Sequence, residues 1–434
     1  METVKVAIIG FGTIGAGVAR LLLEHGERIA KRAGRKLELA CVVDPDLKRS
    51  RNFTLPPGLL TADLAKVIDN PEIVAAVELV GGLEPARTIV LKLLESGKDV
   101  ITANKAMLAE HGPELFDKAR QTGRSIAFEA AVGGGIPIIS ALAESLAANQ
   151  IESIHAILNG TSNFILSQME ENDTDYASAL AEAQQRGYAE ANPAMDINGS
   201  DAAQKLAILG HLAFGARANW RAIPRTGIDV VDVTDIRYAK ELGYSIKLLA
   251  VAELVPEGLE LHVSPTLVRQ GSPLAEVRGA YNAVRVVGDA VGRVFFHGLG
   301  AGQMPTASAV VADLISTVVG RTAITFRLLN LWSTDGEPAV RTRDPGKVPG
   351  RFYLRFNVDD RPGVMSEITG ILSKVHISIS SVIQHETEEE DASNAVPLVI
   401  MTHTSTEGNM AEAMKTINQL ASVHPGSVRM RVRD

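Results

Sequence analysis

Val4-Lys-Val-Ala-Ile-Ile-Gly10-Phe-Gly12-Thr-Ile-Gly15 is the stretch that decides the fold. The apolar run Val4 to Ile9 reads as a strand, and three glycines at GxGxxG spacing follow it at the start of an amphipathic helix running through Leu23. Each glycine has a mechanical reason to be there. Gly10 permits a tight turn out of the strand, Gly12 lets the backbone approach a pyrophosphate, and Gly15 allows close helix packing, while the helix N-terminus offers oriented N–H donors to the anion. Gly10, Phe11, Gly12, Thr13, Ile14 and Gly15 are therefore the candidate dinucleotide loop. The competing reading, a glycine-rich turn that binds nothing, leaves the conjunction of strand, fingerprint, helix and later acidic residue unexplained.

That acidic residue is Asp44, at the end of a second strand closing on Cys41-Val-Val-Asp44. Its carboxylate suits ribose hydroxyls and repels a 2′-phosphate, which favours NAD. Lys48, Arg49 and Arg51 follow closely enough to compensate a phosphate, or are exposed loop charges, so NADP stays open beside NAD. Asp44 stands further from Gly10 than the usual ~20 residues, because Gly26 to Arg35 lengthens the crossover. Candidate strands at Val4 to Ile9, Leu37 to Val43, Ala75 to Leu79, Asp99 to Ile101 and Ser125 to Phe128 alternate with helical patterns. Such alternation predicts an α/β fold with a Rossmann-type parallel sheet over residues 1–133.

Residues 134–340 mix helices such as Ala202 to Phe214 with strand-like runs near Ile151 to Leu158 and Val284 to Val287. They read as an α+β catalytic and dimerisation domain, with part of 300–340 a candidate to pack back on the first domain. The polar stretch Arg341-Thr-Arg-Asp-Pro-Gly-Lys-Val-Pro-Gly350 reads as a linker, and residues 351–434 as a third, smaller domain. The acidic run Glu386 to Asp391 reads as a solvated loop.

Composition narrows the function. Hydrophobic residues make up 46% of the 434 and charged ones 22%, values of a folded globular chain. With 43 basic against 51 acidic side chains and no basic stripe, nucleic acid is not an expected partner. A single cysteine, Cys41, excludes an internal disulfide and a multi-thiolate zinc site, and fits a reducing cytoplasm. No stretch approaches the ~18 apolar residues of a membrane span, and the N-terminus lacks the build of a signal peptide. A cytoplasmic protein with no membrane partner is expected.

Asp99-Val-Ile-Thr-Ala-Asn104-Lys105 reads as a strand ending in a polar tip, where ligands of parallel sheets collect. Lys105 there either orients cofactor or substrate, or is an exposed lysine starting a helix. Asp201 and Lys205 are four apart and share a helical face, with Glu190 and Asp196 arriving from the preceding loop. A surface ion pair between Asp201 and Lys205 is the simpler alternative, weakened by three carboxylates clustered before one lysine.

These blocks carry a resemblance. Gly10 to Gly15, Thr102-Ala-Asn-Lys105, Leu158-Asn-Gly-Thr-Ser-Asn163, Gly187-Tyr-Ala-Glu190 through Asp196 and Asp201 to Lys205, and Gly298-Leu-Gly-Ala-Gly302-Gln-Met-Pro-Thr306 resemble homoserine dehydrogenase, in order and spacing over nearly the whole chain. The resemblance implies reversible reduction of L-aspartate 4-semialdehyde to L-homoserine with NADP or NAD, on the route to threonine, methionine and isoleucine. It implies Lys205 as acid/base, with Lys105 sharing that role or stabilising charge and Asp201 orienting Lys205. Glu190 and Asp196 would hold the substrate ammonium, Thr161 would hydrogen-bond substrate, and Gly302 would join the cofactor site. Cys41 more simply packs in the core than acts as a nucleophile, against an acyl-enzyme route. None of the ten histidines has persuasive ligand spacing, so no catalytic metal is expected. Glu129, Val132, Gly134 and Ile136 resemble the family's sodium-holding loop, although a glycine-rich hinge explains the same residues.

From Phe352 the order strand, Asp359-Asp-Arg-Pro-Gly363 loop, helix Val364 to Val375, strands Ile377 to His385 and Val396 to Thr402, and helix Met410 to Leu420 resembles a βαββαβ ACT module. Such modules imply an amino-acid effector, here threonine, or dimerisation without a ligand. The fingerprint stands almost at the first residue, which predicts a monofunctional enzyme without a preceding kinase domain, and a homodimer or higher homo-oligomer is expected. A non-catalytic sensor of NAD and an amino acid is the alternative from another class, and it leaves Lys205 and its carboxylates unused.

Overall fold

Six runs in the first third of the chain form a parallel sheet: β1 (Thr3–Ile9), β2 (Lys36–Val43), β3 (Leu60–Thr61), β4 (Ile73–Glu78), β5 (Asp99–Thr102) and β6 (Ile126–Ala127), in the order β3-β2-β1-β4-β5-β6. The five expected strands are present with ends displaced by a residue or two, and β3 is an addition too short to show periodicity. Their near-continuous apolar sequences follow from burial on both faces: Val6, Ala7, Ile8, Ala75, Ala76 and Val77 are fully buried. The computed structural model describes residues 1–333, 337–385 and 395–433.

The chain folds as two compact units, one of Met1–Ile154, Gln204–Ala222 and Tyr281–Arg341, the other of His155–Ala203, Ile223–Ala280 and Thr342–Asp434. In the first, the fingerprint helix Thr13–Glu24 and the late helix Gln303–Val318 share one core, in which Val18, Ala19 and Leu22 meet Ala307, Val310 and Leu314. Close packing explains Gly17, where an added Cβ would lie 3.0 Å from that of Ala307. The lengthened crossover Gly26–Ala33 is itself a helix. Cys41 is buried, and burial pushes its thiol pKa up, in keeping with a core role.

The later strands are β7 (Ile151–Ile157), β8 (Tyr244–Val255), β9 (Gly258–Arg269), β10 (Tyr281–Gly288), β11 (Gly292–Leu299), β12 (Pro349–Asp359), β13 (Ile379–Gln384), β14 (Ala395–Thr402), β15 (Ser405–Thr406) and β16 (Val423–Arg433). β10 and β11 form a hairpin of the first unit. In the second unit β8 and β9 pair antiparallel, β16 joins β9 in parallel, and β12, β14 and β13 continue from β16 antiparallel. Strands β12 to β14 and β16, with helices Val364–Lys374 and Glu407–Ile417, complete the βαββαβ module. Phe352, Leu354, Phe356, Ile368, Leu372, Ile400, Met410 and Ile417 are its core.

Alternation along β12 turns Tyr353 and Arg355 to the opposite face. There both reach Asp235 of the helix Val233–Glu241: Tyr353 Oη donates at 2.9 Å, Arg355 Nε at 2.6 Å and Nη2 at 3.0 Å. All three are buried, and burial beside Asp235 pushes the Tyr353 phenol far up. The stretch after Arg341 is pinned rather than loose, because the Arg343 N–H donates to the Leu259 carbonyl at 2.9 Å and its guanidinium pairs with Glu260. The acidic run Glu386 to Asp391 lies outside the described residues. Among the described residues no helix is long and apolar enough to cross a membrane.

Candidate active site

The turn after β1 has the expected shape. Gly10 sits at φ +97°, and a Cβ there would lie 2.5 Å from the Leu79 carbonyl oxygen; at Gly15 it would lie 2.1 Å from that of Gly10. At Gly12 an added Cβ would meet nothing within 4 Å, and no side chain caps the helix that begins at Thr13. Open space before uncapped N–H donors fits a pyrophosphate, and a side chain at position 12 would intrude on it. Gly302 precedes the helix Gln303–Val318, whose first residue reaches this loop through Gln303 Nε2 to the Thr13 carbonyl at 2.8 Å.

Asp44 lies against the fingerprint as expected, and its carboxylate is occupied. It accepts from Phe11 N–H at 2.8 Å, from Asp46 N–H at 2.9 Å, and pairs with Arg51 at 3.0 Å. Arg51 is no exposed loop charge: its side chain is 7% exposed, its Nε donates to the Phe11 carbonyl at 2.8 Å, and its guanidinium stands 5.1 Å over the Phe11 ring. The charge that repels a 2′-phosphate is thus partly offset where it stands.

At the ends of β4 and β5 the sheet holds a residue that pattern reading passed over. Glu78 is fully buried at the tip of an apolar strand; its Oε1 accepts from Val80 N–H at 2.7 Å and its Oε2 from Thr102 Oγ1 at 2.7 Å. Thr102 Oγ1 in turn accepts from Asn104 N–H at 3.0 Å, and Asn104 Nδ2 donates to the Gly82 carbonyl at 2.7 Å. Asn104 also caps the helix Lys105–Thr122, accepting from Met107 N–H at 3.1 Å. Half-buried Lys105 is therefore the first residue of a helix whose origin is tied to two strand ends. A carboxylate closing a run of apolar residues was the available signal.

The second unit gathers the substrate candidates around Asn159, the N-cap of the helix Gly160–Asn172. Its Oδ1 accepts from Ser162 N–H at 2.8 Å, and its Nδ2 donates to Asp196 Oδ1 at 2.7 Å and Asp201 Oδ2 at 2.9 Å. One amide thus brings Asp196 and Asp201 together, while Ser162 Oγ donates to the Asp196 carbonyl at 2.8 Å. Thr161 Oγ1 donates to the Tyr188 carbonyl at 2.6 Å, so its hydroxyl has only acceptor capacity left. Glu190 is exposed, its carbonyl held by Gln184 Nε2 at 3.2 Å. Asp201 and Lys205 lie one turn apart on the helix Ser200–Phe214, both buried, at 5% and 8% exposure. Asn159 stood in the quoted motif, but capping and bridging are invisible without its neighbours.

In the Glu129 to Ile136 loop, the Glu129 carboxylate is buried and accepts backbone N–H bonds from Ile139 and Ser140 at 2.8 Å each. Burial raises its pKa, and burial together with the Glu129 charge holds Asp313 well above the usual carboxylate range. Among the described residues no group of three or more His, Cys, Asp or Glu side chains is gathered for a metal. That bears on side-chain sites and not on a cation held by carbonyls.

A protein that keeps an open pyrophosphate cradle borrows its chemistry from a dinucleotide, and the class here is that of the NAD(P)-dependent oxidoreductases. Residues 10–129 match the family model of the homoserine dehydrogenase NAD-binding domain, 137–315 that of homoserine dehydrogenase, and 352–422 that of the ACT domain. The chain belongs to the homoserine dehydrogenase family, whose members serve amino-acid biosynthesis, and carries a C-terminal ACT domain. Homoserine dehydrogenase of Pseudomonas aeruginosa is 43% identical, covering 100% of this chain and 99% of its own length. The crystal structure of a homoserine dehydrogenase from Thiobacillus denitrificans, 41% identical, aligns over 100% of this chain and 99% of its own with a TM-score of 0.91. A hyperthermophilic archaeal homoserine dehydrogenase solved in complex with NADPH is 25% identical, covers 73% of this chain and 98% of its own, and aligns with a TM-score of 0.59.

Proposed function

We propose that the chain interconverts L-aspartate 4-semialdehyde and L-homoserine with Lys205 as the acid/base. The observation that carries the reading is Asn159 bridging Asp196 and Asp201, which sets two carboxylates side by side and suits them to a substrate ammonium group and the lysine beside it. A bound NAD(P) supplies or accepts the hydride. Lys205 gives a proton to the carbonyl oxygen as it becomes an alkoxide and takes it back in oxidation; Asp201, one turn earlier, orients it. Lys105 shares that role or stabilises the developing charge. Asp196 and Glu190 hold the ammonium, and Thr161, its own proton spent on Tyr188, accepts from it. Gly10 to Gly15 and Gly302 hold the cofactor phosphates and Asp44 its ribose, and with Arg51 beside Asp44 the site takes NADP as well as NAD.

The loop of Glu129, Val132, Gly134 and Ile136 holds a sodium ion through its carbonyls in this reading. The ACT domain carries threonine feedback at the Asp359–Gly363 loop, where Gly363 at φ +97° starts the next helix. A homodimer or larger homo-oligomer is supported by Tyr281, Phe295 and Leu299, exposed apolar residues on the β10–β11 hairpin. The division into 1–133, 134–340, a 341–350 linker and 351–434, and a cytoplasmic location, belong to the same proposal. Spectrophotometric oxidation of L-homoserine, run with NAD and NADP separately and then with added L-threonine, is the test. Turnover with both cofactors and inhibition by threonine are expected; folded protein that turns over with neither is not this enzyme.

A further inference from the structure

In the order β3-β2-β1-β4-β5-β6 the parallel sheet grows outward both ways from between β1 and β4, and the crevice beyond such a switch point is where an open sheet takes its ligand. Glu78 is the last residue of β4 and stands at this point, level with Ile9 of β1 on one side and Thr102 of β5 on the other. It is fully buried, and so are the apolar Ala75, Ala76 and Val77 before it. Desolvating a carboxylate costs far more than burying another apolar residue, so its place rests on the donors it gathers.

Those donors come from two directions. Oε1 accepts from Val80 N–H at 2.7 Å and from Gly81 N–H at 3.3 Å, which curls the loop after β4 back onto its own strand end. Gly81 and Gly82, at φ +80° and +70°, allow that curl. Oε2 accepts from the Thr102 hydroxyl at 2.7 Å, and the same hydroxyl oxygen accepts from Asn104 N–H at 3.0 Å. Asn104 Nδ2 then donates to the Gly82 carbonyl at 2.7 Å, while its Oδ1 accepts from Met107 N–H, so the amide has one orientation. Glu78, Thr102, Asn104 and Gly82 thus tie two strand ends into a circuit, and Lys105 is the next residue of the chain. The circuit also abuts the dinucleotide loop: a Cβ at Gly10 would lie 2.5 Å from the Leu79 carbonyl oxygen and 2.9 Å from the Val80 nitrogen. Its polarity runs one way. A carboxylate only accepts, so Thr102 donates to it and keeps its lone pairs for Asn104 N–H.

We propose that Glu78 is a positioning residue for hydride transfer, acting through Thr102 and Asn104 to hold Lys105 at the crevice that takes the nicotinamide end of the cofactor. The inference rests on the reading of Lys105 given under the proposed function. Bonds to an ionised acceptor are about twice as strong as neutral ones, and a glutamine cannot reproduce their direction. With its amide nitrogen toward Thr102, the hydroxyl proton loses its acceptor; turned over, the nitrogen faces Val80 N–H, donor against donor.

The test is a mutant cycle on the full chain, read by L-homoserine oxidation at saturating NADP and, without cofactor, by amide hydrogen exchange of the peptide from Ala103 to Glu110. E78Q and T102V should each lower kcat by about tenfold or more. NADPH affinity from fluorescence titration should change by less than about threefold, because the phosphates and ribose are held elsewhere. T102S, which keeps the hydroxyl, should recover most of what T102V loses. In a K105A background E78Q should lower kcat no further, since the two residues act as one unit; a general weakening of the fold multiplies instead. The amides of Met107 and Leu108, both bonded to Asn104, should exchange faster in E78Q and T102V, while those of the helix Gln303–Val318 keep the parental rate. A full further loss in the K105A background overturns the proposal, and so do parental kcat and exchange in both E78Q and T102V. A parent that does not oxidise homoserine, or K105A with parental turnover, overturns the reading of Lys105 and this inference with it, and the two failures are thereby told apart.

Discussion

Asp44 and Arg51 carry the question of which cofactor is used. An acidic residue at the end of the second strand predicts NAD, yet the carboxylate is tied to Phe11 N–H and partly offset by the Arg51 guanidinium. R51A should therefore lower kcat/KM for NADP by about tenfold more than for NAD; steady-state kinetics with both cofactors checks it, and equal losses would mean that Arg51 only braces the loop. Lys205 carries the chemistry. K205A should cut kcat for homoserine oxidation by about 10²–10⁴-fold while cofactor affinity, read by fluorescence titration, stays near that of the parent. Turnover close to normal would remove Lys205 from the proton transfer. Sequence singled out Lys105, Lys205, Asp44, Glu190, Asp196 and Asp201 as candidates through their motif spacing, but it left Arg51 between compensating a phosphate and being an exposed loop charge, since the packing of an arginine against Asp44 and Phe11 is visible only in the fold.

The helix Ser200–Phe214 is the element on which the proposed chemistry turns, and its far end is held by His211. His211 Nδ1 lies 3.0 Å from the Ala216 carbonyl, Trp332 N–H donates to Nε2 at 2.6 Å, and the ring stacks on Trp332 with centroids 4.5 Å apart. Both nitrogens are satisfied in one neutral tautomer, with Nδ1 as donor and Nε2 as acceptor. Burial pushes the pKa down to about 4 from an ordinary 6.5. Because the folded value is the lower one, the unfolded chain binds the proton first on acidification. The stabilisation is complete above pH 6.5 and is lost as pH falls from there toward 4. Melting temperature followed across this window should decline more steeply in the parent than in H211Q; parallel curves would show that His211 does not titrate with folding. Periodicity located this helix and five strands of the parallel sheet, since apolar spacing reports local geometry, but it gave no range for the long strands β8, β9, β11 and β16. It was silent on Glu78 and Asn159, polar residues whose work is to tie separate loops together.

At the scale of the whole molecule, the ACT module shares a sheet with the hairpin that precedes it, through β16 on β9. The buried contact of Asp235 with Arg355 and Tyr353 fastens the other face. A chain ended after Gly350 loses β12 and β16 together, and with them the Tyr353 and Arg355 partners of Asp235. Breaking a buried pair from one side costs about 3–5 kcal/mol, so the shortened chain should unfold at distinctly lower urea than the full one. D235N should depend on context: clearly destabilising in the full chain, where it weakens the pair, and much milder in the shortened one, where only the capping bond from Asp232 N–H remains. Urea unfolding of the four proteins decides this, and equal losses in both backgrounds would dissociate Asp235 from the seating of the ACT module.

By itself the sequence determined the Rossmann sheet, the family, the ACT module and the residues on which the chemistry is proposed to rest, because glycine spacing, apolar periodicity and motif order are local and read directly along the chain. Tertiary structure alone decided that Asp44 is already paired, that one asparagine joins two carboxylates, and that Asp235 waits for a strand 118 residues away. Each depends on which side chains a fold buries against one another, and burial is what turns an ordinary polar residue into a group that must find a partner.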